Sequence, residues 1–513
     1  MKKKLTSVLL VLIMIISCIA CGKKPEKEQF IVYSDIDFGE PPTTVTYLTI
    51  GDKPTNGQTE IVIDELNKIL TEKVNAKLDI YYVGWDEYLK KYNNVLSSGN
   101  VELDLIGTST DWLDAWPNVF AGNFMPLSDE MLKAFCPNTY RNVTDKQWDV
   151  CSYNGNVYFI PENEYSQWTN HGIIYRKDIA KEAGIRKISD WNELDKYVRY
   201  VAEKKPEMIA WDADGTNTAI TLGYLMSVTK YIPIYEISTY GLWGADSRDL
   251  KTIYSPYYEG NELLDFAVMM KEWNDIGVWR DGLFSLGDNT EEFYEGISAM
   301  TQHHTQKYYT DIKPEMETRN PGKEVDFYWF GKDNANLVRN SICHGAMAVY
   351  AHSRHPEKAL MVYDLLRNDK ECYRLLRYGI EGTQYVMTED GMIERPSGYN
   401  TNRDSIVTNF WWGRRDVLEL QDTSYSWNEY YELLDEYDHV VVDYPWDGVT
   451  IQSENIAKKL EKIIEICDEY IPEITYGQYD CTPQEEVSRF RVELKKAGFE
   501  QVTQHIQSVV DSY

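Results

Sequence analysis

The sequence predicts an α/β fold built on a parallel sheet and followed by a helical C-terminal extension. Between residues 43 and 106, β-branched and aromatic runs alternate with segments whose apolar residues recur at helical spacing. The connections are short, and strand–helix–strand units of that kind make parallel sheets with right-handed crossovers. Near the other end, residues 454–470 and 484–511 repeat apolar positions at helical spacing beneath a regular, solvated pattern of charge. At 513 residues, 43% apolar and 26% charged, the chain is long enough for several cores, and a wholly disordered or collagen-like protein is excluded.

Charge narrows the function classes. The 52 basic and 82 acidic residues leave a formal net charge of −30, which repels phosphate backbones and argues against nucleic acid and strongly anionic ligands. Aromatic residues are abundant, with 39 Tyr, 15 Trp and 14 Phe. Such rings fill cores, and they also stack on planar or sugar-like ligands.

The first twenty residues read as an address. Lys2, Lys3 and Lys4 precede an apolar run from Val8 to Ile16. That run is too short to span a bilayer, which takes about 20 residues in a helix. The junction Ile19-Ala20-Cys21-Gly22 resembles a bacterial lipoprotein signal, which implies cleavage before Cys21 and a diacylglycerol on its thiol. An ordinary secretory signal with a chance cysteine is the alternative. Residues 22–42 are polar and proline-marked, as a tether would be. No later stretch is apolar enough to span a membrane, so the remainder is expected to be an exported, soluble body.

Val45–Ile50 reads as the first strand, ending at Gly51, and Ile61, Ile63, Leu66, Ile69, Leu70 and Val74 give a helix over 58–75. Leu78–Val83 is a second strand, 86–98 a second helix, and Leu103–Ile106 a third strand. In open α/β sheets ligands sit beyond the carboxyl ends of the strands. Two of those ends pair a tryptophan with an aspartate, Trp85-Asp86 and Asp111-Trp112, and these four are candidate ligand contacts. Either ring has a simpler reading as a cap on the core.

Beyond this region the order of motifs becomes specific. Gly155-Asn156-Val157-Tyr158-Phe159-Ile160-Pro161 is followed by Gly172-Ile173-Ile174-Tyr175-Arg176-Lys177-Asp178, Lys181–Ile185 and Asp190–Leu194. Phe293–Met300 and the block from Asn336 to Tyr385 continue the series. The set resembles family 1 extracellular solute-binding proteins of ABC importers, in the lipoprotein subgroup with a DUF3502-like C-terminal extension. The resemblance implies a two-lobe, type II periplasmic-binding-protein-like fold with hinge strands, closing on an oligosaccharide. It divides the chain into a signal peptide (1–20), a tether (21–42), lobe 1 (43–165) and the first part of lobe 2 (166–300). A return to lobe 1 (301–340), second-lobe and third-crossing helices (341–400) and the extension (401–513) follow.

Crossing segments line the cleft in that family, which points to Glu164, Trp168, His303, His304 and Asn336. Adjacent strand residues face opposite ways, so at most one of His303 and His304 should point into the cleft, and a metal pair is not expected. Trp211–Thr216 resembles a calcium loop but lacks the closing glutamate, and it is better read as a cleft-facing strand end carrying Asp212. The run Asn409-Phe410-Trp411-Trp412 either reaches the cleft or packs the extension onto the first lobe, and one tryptophan is assigned to each task.

Cys136, Cys151, Cys343, Cys372, Cys467 and Cys481 permit disulfides, with Cys136/Cys151 and Cys467/Cys481 the nearest local pairs. No C-x-x-C, G-x-S-x-G, H-E-x-x-H or P-loop occurs. The expected protein is therefore a monomeric, lipid-anchored binding protein without cofactor or catalysis, delivering an oligosaccharide to permease subunits. A peptide receptor of the same fold, or a surface carbohydrate enzyme or adhesin, are the alternatives.

Overall fold

The computed structural model of the protein describes residues 30–34, 36–163, 168, 170–215, 217–285, 290–449, 451 and 456–512. The expected leader, Cys21 and Glu164 lie outside the described residues.

The first lobe follows the sequence closely. Strand β1 (Thr43–Ile50) runs parallel to β2 (Ala76–Val83) from Thr43↔Ala76 to Ile50↔Val83. Helix α1 (Gln58–Val74) joins them and buries Val62, Leu66, Leu70 and Val74, one stripe at i, i+4 spacing. Helix α2 (Tyr88–Ser98) leads to β3 (Leu105–Thr108), parallel to β1 on its other side. That third strand starts two residues later than expected, because the Asp104 carboxylate takes over as acceptor for the Thr46 N–H at 2.9 Å.

The chain then leaves through β4 (Ile160–Pro161) and enters the second lobe at β5 (His171–Arg176). Helices α3 (Trp191–Lys204) and α4 (Ala219–Val228) pack there. Strands β6 (Met300–His304) and β7 (Val325–Trp329) flank β5 on either side, both antiparallel. Alternation along β5 divides the side chains between two cores, Ile173 and Tyr175 on one face and Ile174 on the other.

Residues 301–340 were expected back in the first lobe. Instead β6 and β7 pair along the length of β5, and the return comes later, where Glu162 N–H donates to the Gly345 carbonyl at 2.7 Å. Strand β8 (Ala346–Val349) inserts antiparallel between β3 and β4, giving the order β2-β1-β3-β8-β4. Helix α5 (Pro356–Asn368) buries Leu360, Tyr363 and Leu366 in the same core. Residues 346–368 thus belong with the first lobe, not the second.

The extension is anchored on both lobes. Phe410 and Trp412 are buried in the first-lobe core. Helix α6 (Trp427–Asp438) places Tyr430, Leu433 and Tyr437 against Trp329 and Phe327 of the second-lobe sheet. Helices α7 (Ala457–Tyr476), α8 (Pro483–Ala497) and α9 (Phe499–Val510) cover the other second-lobe core. The expected helix over 484–511 is in fact two, because Gly498 adopts φ 96° and turns the chain between them. Thr482 and Glu485 form a capping box that starts α8. Among the described residues, no helix is long and apolar enough to cross a membrane.

Candidate functional site

The loops after β2 and β3 meet residues 410–412 of the extension at the mouth of the first lobe, and four indoles cluster there, with Trp411 and Trp412 5.7 Å apart. Trp411 and Trp85 have ring centroids 6.0 Å apart. Trp85 stacks on Trp112 at 6.3 Å and 21°, and Trp112 on Trp412 at 5.5 Å and 20°. Exposure differs across the cluster, from 45% at Trp85, through half-buried Trp411 and Trp112, to 0% at Trp412.

Neighbouring segments hold these residues by hydrogen bonds, to the backbone of Trp85 and to the rings of Trp112 and Trp412. The Trp85 N–H donates to Asp52 Oδ1 at 3.2 Å, and Trp112 Nε1 donates to the His344 carbonyl at 3.2 Å. Trp412 Nε1 donates to Thr49 Oγ1 at 3.3 Å. Asn409, left-handed at φ 43°, aims the run by donating to the Ile50 carbonyl at 2.7 Å and accepting from the Tyr47 hydroxyl at 2.9 Å. A Cβ on Gly51 would lie 2.0 Å from the Asn409 amide, so the loop needs glycine there.

Beside the indoles lies a charged centre. His344 Nδ1 and Asp111 Oδ2 are 2.7 Å apart, and the Ser109 hydroxyl also donates to Asp111. Burial works against the Asp111 carboxylate, yet the charge and hydrogen bond of His344 outweigh it and hold Asp111 below the ordinary carboxylate value. Burial likewise opposes protonation of His344, and Asp111 reverses the balance and raises it. Burial pushes Glu162 up to about 7, against the pull of Arg414, His344 and Arg367.

Across the cleft the second lobe contributes three imidazoles. The His171 ring lies 6.2 Å from His303 and 5.8 Å from His304, which are 4.4 Å from each other. Gln302 Nε2 lies 2.7 Å from His171 Nδ1. His171 keeps an exposed surface but is walled by protein on the cleft sides, and this desolvation lowers it to about 4. Burial drives His303 and His304 well below the imidazole value too, so all three rings are neutral near pH 7. The lobes are close enough for Asp111 to raise both Tyr235 and Glu236, and burial sets Glu236 at about 8. Among the described residues, no group of three or more His, Cys, Asp or Glu side chains is placed to hold a metal ion.

The model of the family described as bacterial extracellular solute-binding protein matches residues 57–371, more than half of the chain. The chain belongs to the bacterial extracellular solute-binding proteins. A domain of unknown function, DUF3502, matches residues 445–513. A carbohydrate ABC transporter substrate-binding protein of Streptococcus pneumoniae serotype 4 is 22% identical over 503 residues, covering 93% of this chain and 92% of its own. The crystal structure of the N-glycan transport solute binding protein NgtS of the same species, in complex with Man1GlcNAc, superposes with a TM-score of 0.71 at 17% identity, covering 92% of this chain and 99% of that one. The alginate-binding protein AlgQ2 superposes at 0.67 and 15% identity, over 92% and 98%. These likenesses show the fold, the two-lobe type II arrangement.

Within this solute-binding protein, the residues expected at the site divide cleanly. Trp85, Asp111, Trp112, Trp411, His303 and His304 gather at the cleft. The two histidines do not diverge, because β6 ends at His304, whose Nδ1 accepts the Lys307 N–H at 3.1 Å and caps the next turn. Of the Trp411-Trp412 pair, Trp412 is the core member, lying against Gly107, and is removed from the candidate ligand contacts. Trp168 is also core, 4.9 Å from Tyr437. Asn336 is buried and donates to the Met226 and Tyr231 carbonyls at 3.1 and 2.8 Å, tying second-lobe backbone together. The Asp212 carboxylate is engaged by Arg280 at 2.8 and 2.5 Å. Asp86 points to solvent and pairs with Lys91 at 2.9 Å.

Sequence reasoning missed Glu162, His171, Gln302 and His344. The signal available for Glu162 and His344 was their place on the crossing segments, where Glu164 and Asn336 were chosen in their stead. His171 and Gln302 carry no local signal, since strand pairing across more than a hundred residues brings them together.

Proposed function

We propose that this protein captures an oligosaccharide outside the cell and delivers it to the permease of an ABC transporter, as a monomer tethered through a lipid on Cys21. The cluster of indoles carries the reading. Sugars present apolar C–H faces that aromatic rings cover, while fixed polar groups take the hydroxyls. Trp85, Trp112 and Trp411 supply the rings. Asp111, Glu162 and Gln302, with the neutral imidazoles of His171, His303 and His304, supply acceptors and donors. A site whose imidazoles are uncharged suits an uncharged ligand. The carbohydrate-binding relatives and the extracellular family support the same class of solute.

The test is a thermal-shift screen of the soluble protein over a panel of neutral oligosaccharides, with product analysis of the same mixtures. A raised melting temperature without a hydrolysis product supports the reading. Binding of peptides but no sugar, or release of a product, would overturn it.

A further inference from the structure

Trp411, which touches Trp85 in the indole cluster, also lines a cavity of about 750 Å³, together with Arg414, whose charge acts on Glu162. That volume falls within the range of about 300–1,000 Å³ in which small-molecule sites lie. Its walls come from both lobes. Tyr378 ends a helix whose Cys372 and Leu376 sit in the first-lobe core, and Trp411 packs on that core. Tyr309, Tyr430 and Leu434 belong to the second-lobe cluster around Trp329.

We propose that the ligand cleft continues past Trp411 into this chamber, which takes the distal, uncharged units of a sugar chain too long for the indole cluster alone. The inference rests on the sugar-binding reading above and adds a length requirement to it.

The chemistry of the lining supports a neutral polyol. Three arginines and four carboxylates line the described walls. The arginines are engaged locally: Arg377 with Glu419 at 3.2 Å, Arg414 with Asp416 at 2.8 Å, and Arg395 over the Tyr399 ring at 4.8 Å. An incoming anion would have to displace these partners. Phenols, indoles and amides remain, with the carboxylates of Asp390 and Asp422, all groups that recognise hydroxyls or C–H faces. Because the two lobes supply opposite walls, a unit bound there touches both and stabilises the closed state.

Two variants test this by calorimetry against a ladder of neutral gluco-, manno- and xylo-oligosaccharides, from disaccharides upward. Tyr431→Ala removes an exposed ring from the chamber wall, and Leu434→Trp fills the chamber. Each should weaken binding of the longer chains by roughly tenfold and leave disaccharide affinity unchanged, with a parental melting curve. Trp85→Ala should weaken short and long chains alike. Equal losses for all lengths in the chamber variants, parental affinity for long chains in both, or a parent that gains no affinity with length would overturn the chamber while leaving the sugar reading standing. A parent that binds no member of the ladder would overturn the sugar reading itself.

Discussion

Trp412 lies so closely on Gly107 that a Cβ at that glycine would stand 2.4 Å from the indole. The ring comes from the extension and the glycine from the third strand of the first lobe, so the outer indoles are stacked on a residue that is itself core. Trp412→Ala should therefore lower stability by about 3–5 kcal/mol, as for other buried aromatic truncations. Gly107→Ala should cost about 1–3 kcal/mol by overpacking. Denaturant titration of both variants checks this, and parental midpoints would show the contact to be unimportant.

Trp85 should behave in the opposite way. Its ring is 45% exposed, so Trp85→Ala should leave the melting temperature nearly unchanged. Affinity for a bound sugar should fall by about 2 kcal/mol, more than tenfold in Kd. Calorimetry beside a melting curve separates the two effects, and a loss of stability matching the loss of binding would make Trp85 a packing residue.

The Asp111–His344 pair should mark stability with a pH window. His344 is raised, so its contribution is complete below the ordinary imidazole value of 6.5 and fades as pH climbs through the raised value. Asp111 is lowered, so its contribution is complete above 3.8 and fades as pH falls through the depressed value. The difference in melting temperature between the parent and His344→Gln should thus be largest between those two values and shrink above them. His171, lowered to about 4, destabilises the parent below pH 6.5, because the unfolded chain takes the proton first. Comparing parent with variant at each pH cancels the part of that trend set by burial, the larger cause, though not the part due to His344 itself, and a flat difference would refute the pairing.

The thiols predict their own partner. Cys151 and Cys343 Sγ atoms lie 3.5 Å apart in the first-lobe core, whereas Cys136 Sγ faces Asp364 Oδ1 at 3.6 Å. Mild oxidation with diamide, which accepts the two electrons and two protons, should link Cys151 to Cys343. Peptide mapping by mass spectrometry would show that pair, and a Cys136–Cys151 or Cys467–Cys481 peptide in its place would contradict the packing.

Anchoring is tested in cells. Two acyl chains hold a protein stably at a membrane where one holds it only marginally. Cys21→Ala should release the protein to the medium or leave it uncleaved, and a processed variant that stays on the membrane would end the lipoprotein reading.

Much of the first lobe was legible in the chain because its contacts are local. The i, i+4 stripe of the first helix and the β-branched first strand declare their periods within twenty residues, and the strand ends that carry Trp85 and Trp112 follow from them. The second-lobe sheet was harder, since β5 meets its neighbours only after long excursions, and nothing near Met300 says which lobe it joins. Site residues failed for a related reason. Asp212 looks available until Arg280, distant in sequence, is brought to its carboxylate. Trp412 looks no different from Trp411 until Gly107 opens a space for it. Side-chain type and loop position indicate where a ligand is met, but only the partner across the fold decides whether the group is already occupied.

The extension, with Trp412 rooted in one core and Tyr430 and Tyr437 in another, acts as a check strap between two leaves. When the leaves swing apart, the chain between residues 412 and 430 must lengthen with them, and its contour length bounds how far it can follow. Several residues of that span, from Arg414 to Trp427, also line the chamber, so any change in its length reshapes the chamber as well as the swing.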